Sequence, residues 1–486
     1  MNKTMAYVLA LDFGTSGCRS AIFDENLKML CLATQEYPLI VRSEREIEQD
    51  ADLWWQCTLN TMCEAVAQAP VDSRDIRAIS ISSQGISFVP IDKAGNALCN
   101  AISWLDSRAI DELEALEKRY GKAFLYRRTG KRLSPAYTLS KLMWFCANAK
   151  ALYDKTWKIL MPLDYIQFRL TGRCVTDHTM AGGSMYYDVR TQTWADDLLT
   201  GLGIAREKLP DIAWAGEPVG TLLPEVASRV GLSGDVLVVN GAQDQKCAAL
   251  GAGAACDTAA ISLGTGSCIA QLASAPTEDP LMRIPFFSYV RKGLWDLEGV
   301  INTAGSAYSW FRNEFAGNRS FDAINEAAAG VALPNPVKFY PYLAGSSSPH
   351  WDDAVGCFTG FSLNTGLGNA ARAVMEGIAY NIRANLEAMA SVCERAKELR
   401  LYGGGSKSDL WCTIISEVTG TPVVRLSSSE TALAGAAMLA FRALDCPVPA
   451  SLAPGARFMP DPRRVKIYDE CYREYEQLRA RYFASR

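Results

Sequence analysis

Two short stretches of the chain combine an apolar strand with a turn rich in Gly, Thr and Ser. In "LALDFGTSGCRSAIFDE" the turn is Gly14, Thr15, Ser16 and Gly17, and in "TAAISLGTGSCIAQLA" it contains Gly264, Thr265 and Gly266. Glycine leaves backbone N–H groups uncovered in a sharp turn, and Thr and Ser add hydroxyl donors. Such a concave set of donors suits phosphate oxygens. One turn of this kind is more often a plain hairpin, but two could hold a polyphosphate between them.

Asp12 stands at the end of the first strand, separated by one residue from the Gly14–Gly17 turn. A carboxylate there would repel a bound polyphosphate unless a cation lay between them. Mg²⁺ needs only one or two carboxylates when phosphates and water supply its other ligands. The alternative is an Asp that accepts hydrogen bonds from turn amides. Because a second phosphate-type turn is present, we favour a role for Asp12 beside magnesium, through water.

Asp244 is a second acid at the end of an apolar strand, in "VVNGAQDQKCAALGAG". An Ala- and Gly-rich helix follows it, and a helix N-terminus favours a carboxylate. From position alone, a helix cap is the more frequent explanation. The functional alternative is a general base that draws the proton from a substrate hydroxyl as its oxygen attacks a γ-phosphate.

Two further segments offer groups for recognising an organic ligand. An amide, an aromatic face, a carboxylate and a guanidinium match a polyhydroxylated ligand such as a sugar, and residues 82–109 supply them as Gln84, Trp104, Asp106 and Arg108. A surface turn with an Asp–Arg ion pair would explain the same residues. In "LYGGGSKSDLW", backbone exposed at glycines could accept adenine or its ribose, but a tight strand-to-helix turn also needs glycine.

The elements that position these residues follow an alternating strand and helix pattern, typical of an α/β fold. Strands are predicted at "YVLALDF" and "CRSAIFD", and a helix at "DADLWWQCTLNTMCEAVAQA" with Asp50 or Asp52 as its cap. The two Gly-Thr stretches form a short internal repeat of strand, turn and strand, which predicts two related domains. The tail from about residue 452 is polar and predicts a cap on the surface.

Composition excludes several classes of protein. The chain of 486 residues is long enough for two domains, and a net charge of −4 gives no sign of a nucleic-acid or membrane partner. Only two His are present, which argues against a Ser-His-Asp triad. The 15 Cys include no Cys-x-x-Cys and fit reduced thiols in a cytoplasmic protein. A dinucleotide fingerprint is disfavoured because the first glycine turn leads into a strand, and no P-loop motif occurs.

Taken together, these stretches resemble the FGGY carbohydrate kinase family, closest to its xylulokinase branch. "ALDFGTSGCRSAIFD" and "ISLGTGS" are similar to its two phosphate motifs, and "YGGGSKSDLW" to its adenosine motif. "IEQDADLWWQC" and "FYPYLAGSSSPHWDDAVGCFTGF" are similar to the xylulokinase branch. The resemblance implies an α/β fold of two ribonuclease-H-like domains of the actin and hexokinase type flanking a cleft. The domains would be residues 1–253, with sugar pocket and base, and 254–486, with the adenosine site.

The resemblance also implies a role for each residue. Asp244 would be the catalytic base and would also touch the substrate, and Asp12 would organise Mg²⁺ and ATP. Phosphate would contact the two turns and also Gly305. The nucleoside would lie against Gly404 and Gly405. The sugar pocket would consist of Gln84, Gly85, Trp104, Asp106 and Arg108. Small sugar and ATP are the expected partners, and a homodimer is left open.

The sequence departs from the xylulokinase pattern in the sugar pocket. Xylulokinases usually carry Met-His soon after the pocket Gln, whereas Gly85 and Ile86 follow Gln84 in this chain. Ser346–Ser348 also replace a more usual charged segment. We therefore predict ATP-dependent phosphorylation of a ketopentose such as xylulose, with a polyol or a sugar acid as the alternative. A non-catalytic actin-like nucleotide switch is the rival from another class, and it would need the phosphate turns but neither Asp244 nor a sugar pocket.

Overall fold

The computed structural model describes residues 6–483, in which groups of strands and groups of helices follow one another. Between residues 7 and 252 the strands are β1 (Tyr7–Phe13), β2 (Gly17–Phe23), β3 (Met29–Glu36), β4 (Ile40–Val41), β5 (Ile47–Gln49), β6 (Ile76–Ser83), β7 (Val89–Ile91), β8 (Ala101–Ile102), β9 (Lys158–Leu160), β10 (Val175–Asp177), β11 (Tyr187–Asp188), β12 (Thr193–Trp194), β13 (Asp211–Ala213), β14 (Pro218–Thr221) and β15 (Leu237–Gln243). The helices of the same region are α1 (Ala51–Gln68), α2 (Ile110–Tyr120), α3 (Lys122–Thr129), α4 (Thr138–Asn148), α5 (Lys150–Lys155), α6 (Pro162–Thr171), α7 (His178–Gly183), α8 (Asp196–Gly201), α9 (Pro224–Val230) and α10 (Asp244–Ala252).

The second half of the chain also combines strands with helices. Its strands are β16 (Thr258–Ser262), β17 (Ser267–Ala273), β18 (Phe286–Ser288), β19 (Trp295–Ile301), β20 (Lys338–Tyr340), β21 (Cys357–Thr359), β22 (Glu398–Tyr402), β23 (Val423–Leu426) and β24 (Pro454–Phe458). Its helices are α11 (Gly305–Phe315), α12 (Phe321–Ala329), α13 (Leu367–Ala390), α14 (Asp409–Thr419), α15 (Thr431–Ala443) and α16 (Pro462–Phe483). Within residues 6–483, no helix combines the length and apolarity that crossing a membrane requires.

The chain forms two compact units, each made from separate segments. Unit 1 consists of Met1–Gly251, Phe287–Trp295 and Glu430–Ser451, and unit 2 of Ala252–Phe286, Asp296–Ser429 and Leu452–Arg486. This division differs from a single boundary between residues 253 and 254. The physical reason is packing: α15 lies against β1, β6 and β15, so the chain must return to unit 1 after residue 429. Packing on these strands therefore decides the unit to which α15 belongs, although the segments before and after it in sequence belong to unit 2.

Unit 1 is built on a six-stranded sheet with the order β14-β15-β6-β1-β2-β3. The three central strands β15, β6 and β1 are parallel, and the outer pairs are antiparallel. Val8 to Phe13 of β1 are all buried, as expected for a strand whose sheet is covered on both faces. Helix α1 packs on β2 and β3, and its N-cap is Asp50, whose carboxylate accepts from the backbone N–H groups of Asp52 and Leu53.

Unit 2 repeats the strand pairing of unit 1. In its sheet β16 pairs antiparallel with β17 and parallel with β22, just as β1 pairs antiparallel with β2 and parallel with β6. On one side of the β16–β17 hairpin the sheet continues with β19, and on the other side with β22, β23 and β24. The 24-residue helix α13 packs on α12, α14 and β20. The repeat predicted from the two Gly-Thr stretches is therefore present as two hairpins with equivalent sheet neighbours.

The prediction of a polar surface cap after residue 452 is wrong. β24 joins the sheet of unit 2, and α16 buries one face against that unit. The buried face is aromatic: Tyr475 lies 4.4 Å from Tyr340 and 4.7 Å from Tyr380 between ring centroids. Because Tyr carries a hydroxyl and its neighbours on the helix are charged, the average polarity of the tail concealed a helix with a buried face.

Candidate active site

The carboxyl ends of three parallel strands in unit 1 bring distant predicted residues side by side. In the sheet register Asp12 of β1 lies opposite Ser82 of β6, and Ser83 lies opposite Gln243 of β15. Gln84 and Asp244 are the next residues along β6 and β15. Ligands of open α/β sheets bind outside the carboxyl ends of such strands. This sheet edge is therefore the candidate active site of unit 1.

Asp12 is a buried carboxylate whose two oxygens have different partners. Oδ1 accepts a hydrogen bond from the Ser82 hydroxyl at 2.7 Å, and Oδ2 accepts from Nε of Arg19 at 3.1 Å and also from its Nη2. The other guanidinium nitrogen of Arg19, Nη1, lies 2.5 Å from a carboxylate oxygen of Glu430. Both oxygens of Asp12 thus already have protein donors, which fits contact with a cation through water better than direct coordination.

The fit of magnesium to this edge follows from the donors that are present. Within residues 6–483 no group of three or more His, Cys, Asp or Glu side chains is placed to hold a metal. A metal at this edge would therefore take most of its ligands from phosphate and water, which is the usual arrangement for Mg²⁺. The buried carboxylate of Asp12 fits that role.

The turn of the first hairpin is held in place from its carbonyl side. The N–H of Gly14 donates to the carbonyl of Gly17 at 2.9 Å and closes the turn. The Tyr37 hydroxyl donates to the Gly14 carbonyl, and Nε2 of Gln49 donates to the Thr15 carbonyl at 2.7 Å. Ser16 at the tip is exposed. These hydrogen bonds constrain the backbone of the turn without any ligand, and such preorganisation suits the phosphate contact that the sequence predicts.

The second hairpin in unit 2 lies against two other predicted glycine sites. The N–H of Gly305 donates to the carbonyl of Gly264 at 2.8 Å, and the N–H of Gly405 donates to the carbonyl of Leu263 at 2.9 Å. A Cβ at Gly305 would lie 2.5 Å from the Gly264 oxygen, so only glycine permits this approach. No atom lies within 4 Å of a Cβ built at Gly404, which leaves open space over that residue. The remaining residues that the sequence predicts for ATP in this unit are also on the hairpin turn, namely Thr265 and Gly266.

Gly403, in the turn between β22 and α14, is a residue that sequence reasoning missed. Its φ of +92° lies in the region that favours glycine, and a Cβ there would be 2.9 Å from the Leu263 carbonyl oxygen. The run of three glycines was the available signal, because a strand-to-helix turn needs at least one positive φ. Within each unit, the residues predicted to bind ATP lie near the hairpin turn of that unit. Binding of one nucleotide by both hairpins stays a prediction.

In the predicted sugar pocket, Gln84 and Trp104 connect to the first hairpin. The indole Nε1 of Trp104 donates to the Thr15 hydroxyl at 3.0 Å, and its backbone N–H donates to the Ser87 hydroxyl at 3.0 Å. Gln84 is 2% exposed and lies 3.4 Å from Gln49, measured from its Nε2 to the Gln49 Oε1. Sequence reasoning missed Gln49, which is fully buried and contacts both segments.

Asp106 and Arg108 form an ion pair, but the pair is buried. Their side chains are 0% and 9% exposed, and Arg108 also lies 3.0 Å from Glu48. The oxygens of Asp106 accept from the backbone N–H groups of Ile47 at 2.7 Å and Arg108 at 2.9 Å. The surface turn weighed as an alternative is therefore not what the structure has. The two residues brace the segment that carries Trp104, and their contact with a sugar stays a prediction.

Lys141 of α4 supports the same segment and was also missed. Its Nζ donates to the carbonyls of Ser103 at 3.0 Å and Ala136 at 2.6 Å. Burial lowers the pKa of this lysine to about 7. The charge of Asp106 opposes this decrease, and the charge of Arg108 adds to it. A single Lys inside the apolar stretch "TLSKLMWFC" was a signal that this position has a polar task.

Asp244 is the first residue of α10, and its Oδ1 accepts two hydrogen bonds. Nε2 of Gln243 donates at 2.6 Å and the backbone N–H of Gln245 at 2.7 Å. Burial raises the pKa of the nearby Cys247 thiol, and the charges of Asp177, Asp12 and Asp244 add to the increase. The sheet register agrees with this, because Asp12 and Asp244 lie at the carboxyl ends of β1 and β15, on either side of β6.

Comparison with known proteins matches both units to one family. The N-terminal and C-terminal domain models of the FGGY family of carbohydrate kinases match residues 7–251 and 259–444. The chain is 29% identical over 483 residues to the xylulose kinase of Bacillus subtilis, covering 98% of this chain and 97% of the relative. It is 30% identical over 448 residues to the glycerol kinase of Thermococcus gammatolerans, covering 90% and 89%.

A solved gluconate kinase from Lactobacillus acidophilus has the same fold, with a TM-score of 0.92 at 26% identity over 98% of each chain. These matches confirm the predicted α/β class with two domains of the actin and hexokinase type. The chain belongs to the FGGY family, and it is a carbohydrate kinase.

Proposed function

We propose that the protein transfers the γ-phosphoryl group of ATP to a hydroxyl of a small sugar, and that this sugar is a ketopentose such as xylulose. The observation that carries the proposal is the carboxyl edge of the unit 1 sheet. There Asp244 directly follows β15, Gln84 directly follows the neighbouring β6, and Asp12 lies opposite Ser82 near the end of β1. The similarity to a xylulose kinase across nearly the whole chain supports the choice of a ketopentose.

In the proposed reaction Asp244 acts as the general base. Its carboxylate takes the proton of the substrate hydroxyl, the hydroxyl oxygen forms a bond to the γ-phosphorus, and the bond from that phosphorus to the bridging oxygen of ADP breaks. The products are a sugar phosphate, ADP and one proton. When bound, Mg²⁺ would supply positive charge to the phosphate oxygens, and Asp12 would hold it through water.

The proposal places the phosphates of ATP against the two hairpin turns and against Gly305. The pinned carbonyls of Gly14 and Thr15 support this assignment, because they leave the turn little freedom to rearrange. The open face at Gly404 is proposed for the nucleoside, together with Gly405. Exclusion of water matters in such a site, because water is a competing phosphoryl acceptor.

A polyol or a sugar acid is the second candidate substrate. The observation that favours it is the pocket itself: Gly85 follows Gln84, and the oxygens of Asp106 already accept from protein donors. Relatives with these substrates in their names, a glycerol kinase and a gluconate kinase, match the chain about as well as xylulose kinases do.

A substrate panel tests the choice. ADP release is measured with ketopentoses, glycerol and other polyols, and gluconate, and the phosphorylated product is identified by mass spectrometry. We expect the highest kcat/KM for a ketopentose. A higher value for a polyol or gluconate would replace the substrate class, whereas ATP hydrolysis without any phosphorylated product would refute the transfer reaction and favour a nucleotide switch.

The role of Asp244 is tested by substitution. Asp244→Ala should lower kcat by about 10²–10⁴-fold, because a general base contributes that much to proton transfer. ATP binding, measured by calorimetry, should remain. Asp154→Ala removes an exposed carboxylate elsewhere in unit 1 and serves as the matched control. Near-normal turnover in Asp244→Ala would remove the base from the mechanism.

A further inference from the structure

Gln243 is the last residue of β15 and directly precedes the proposed base, so no loop separates the strand from Asp244. The backbone of Gln243 is fixed by a neighbouring helix, since its N–H donates to the Thr179 hydroxyl at 2.9 Å. Thr179 in turn donates to Asp177 at 3.0 Å. The starting point of the Gln243 side chain is therefore held in place.

The amide of Gln243 is oriented by the carboxylate it contacts. Its Nε2 donates to Oδ1 of Asp244 at 2.6 Å. An ionised carboxylate only accepts hydrogen bonds, so the amide nitrogen and not the oxygen must face it. The amide oxygen Oε1 is buried, and within residues 6–483 it has no hydrogen-bond partner. Leaving that acceptor without a donor is unfavourable, and the amide keeps this orientation because the carboxylate requires it.

The stem of Gln243 occupies room that a missing side chain leaves at Gly85. A Cβ built on Gly85 would lie 3.1 Å from Cγ of Gln243, closer than an ordinary carbon–carbon contact. The next nearest atoms are the amide Nε2 and Cδ of the same side chain, at 3.7 and 3.8 Å. The absence of a side chain at Gly85 and the presence of a long one at Gln243 are thus complementary.

We propose that Gln243 is a positioning residue that orients the Asp244 carboxylate for proton removal, and that Gly85 provides the space this orientation needs. The proposal rests on the proposed function of Asp244 as the base. Gln243 acts through Asp244: its amide and the Gln245 N–H both occupy Oδ1, which fixes the rotation of the carboxylate. A fixed carboxylate loses less freedom when the substrate hydroxyl arrives.

Two substitutions separate this role from simple packing. Gln243→Met keeps the length of the side chain but has no donor, and it should lower kcat about 10–100-fold while the KM for ATP stays within about twofold. Gln243→Glu keeps the shape of the side chain and places a second negative charge beside Asp244. This variant still tests the proposal if the Met side chain disturbs packing. Gln56→Met removes an exposed amide of α1 in the same unit and is the control.

The pH profile of kcat is the readout that a packing role would not change. Loss of the donor disfavours the ionised form of Asp244, and a neighbouring carboxylate disfavours it more. The acidic limb should therefore move upward slightly in Gln243→Met and by about one pH unit or more in Gln243→Glu. The titratable groups on the elements around this position are unchanged in both variants, and they include Asp12, Asp177, His178, Lys246 and Cys247. Acidic limbs equal to that of the wild type would overturn the proposal.

A double-mutant cycle tests the part played by Gly85. Gly85→Ala should lower kcat in the wild-type background and should cost clearly less when Gln243 is already Ala, because the shared space is then empty. Additive effects would overturn the coupling between the two positions.

The outcome for Asp244→Ala distinguishes the two levels of inference. If that variant is inactive while both Gln243 variants behave as the wild type, the base stands and the positioning role fails. If Asp244→Ala is active, the proposed function fails before Gln243 is considered.

Discussion

Helix α10, which begins with Asp244, approaches the backbone of α15 closely at two glycines. A Cβ at Gly435 of α15 would lie 2.0 Å from the carbonyl oxygen of Cys247, and a Cβ at Gly251 would lie 2.1 Å from the carbonyl oxygen of Thr431. Both clashing atoms belong to helix backbone, which cannot rotate away as a side chain can. The two helices are therefore in backbone contact only because both positions are glycine.

We predict that Gly435→Ala displaces the proposed base. An ordinary contact to a Cβ begins near 3.4 Å, so α10 would have to move by about 1.4 Å along the line of contact. Misplacement of a catalytic group by about 1 Å can cost about 10²-fold in rate. We expect kcat to fall by about 100-fold or more, and the free energy of unfolding to fall by about 1–3 kcal/mol, the usual cost of overpacking.

The assay compares kcat for sugar phosphorylation with the urea midpoint from circular dichroism, at a temperature where the variant is folded. Gly234→Ala is the control, because no atom lies within 4 Å of a Cβ built there and its φ is not in the positive region. A Gly435→Ala protein with kcat within about threefold of wild type and an unchanged urea midpoint would refute the reasoning. A large loss of stability with normal kcat in the folded fraction would show that α10 packs closely but does not position the base.

Two other predictions concern unit 2 and acid stability. Gly305→Ala should displace the second hairpin, because the new Cβ would lie 2.5 Å from the Gly264 oxygen, and it should raise the KM for ATP about tenfold or more. Gly330→Ala is the control, because a Cβ there makes only ordinary contacts, and it should leave the KM unchanged. Equal KM values for the two variants would contradict the assignment of Gly305. Burial lowers the pKa of His178 to about 4, so between pH 6.5 and 4 the unfolded chain binds a proton that the folded chain does not, and acid favours unfolding. The stability difference between wild type and His178→Phe should therefore decrease by about 3 kcal/mol from pH 7 to 4, measured by urea denaturation, and a difference constant with pH would disprove the buried neutral ring.

Much of the fold was predictable because its elements are short and locally marked. Apolar runs that end at Gly-Thr turns predicted both hairpins, and Asp50 before a helical pattern predicted the start of α1. The tail was predicted wrongly, because the buried tyrosines of α16 are separated by charged residues whose average conceals the apolar face. Helix α15 could not be placed in unit 1 from sequence, since its contacts with β1 and β6 join residues far apart in the chain.

In the candidate site, too, the residue types could be read from the sequence, but their spatial neighbours could not. Asp12, Gln84 and Asp244 were recognisable individually, as acids or amides at strand ends. Their partners were not, because no local pattern connects Arg19 with Glu430 across 411 positions, or Asp12 with Ser82 across 70.

The sequence by itself determined which turns can bend sharply and offer backbone donors, and which strand ends carry an acid, because these properties belong to single residues and their immediate neighbours. Only the tertiary structure decided that Asp12, Gln84 and Asp244 share one sheet edge and that Gln243 fills the space beside Gly85. The physical reason is that the register of parallel strands is selected by burial over the whole sheet, and one residue of slip would turn each of these side chains to the other face.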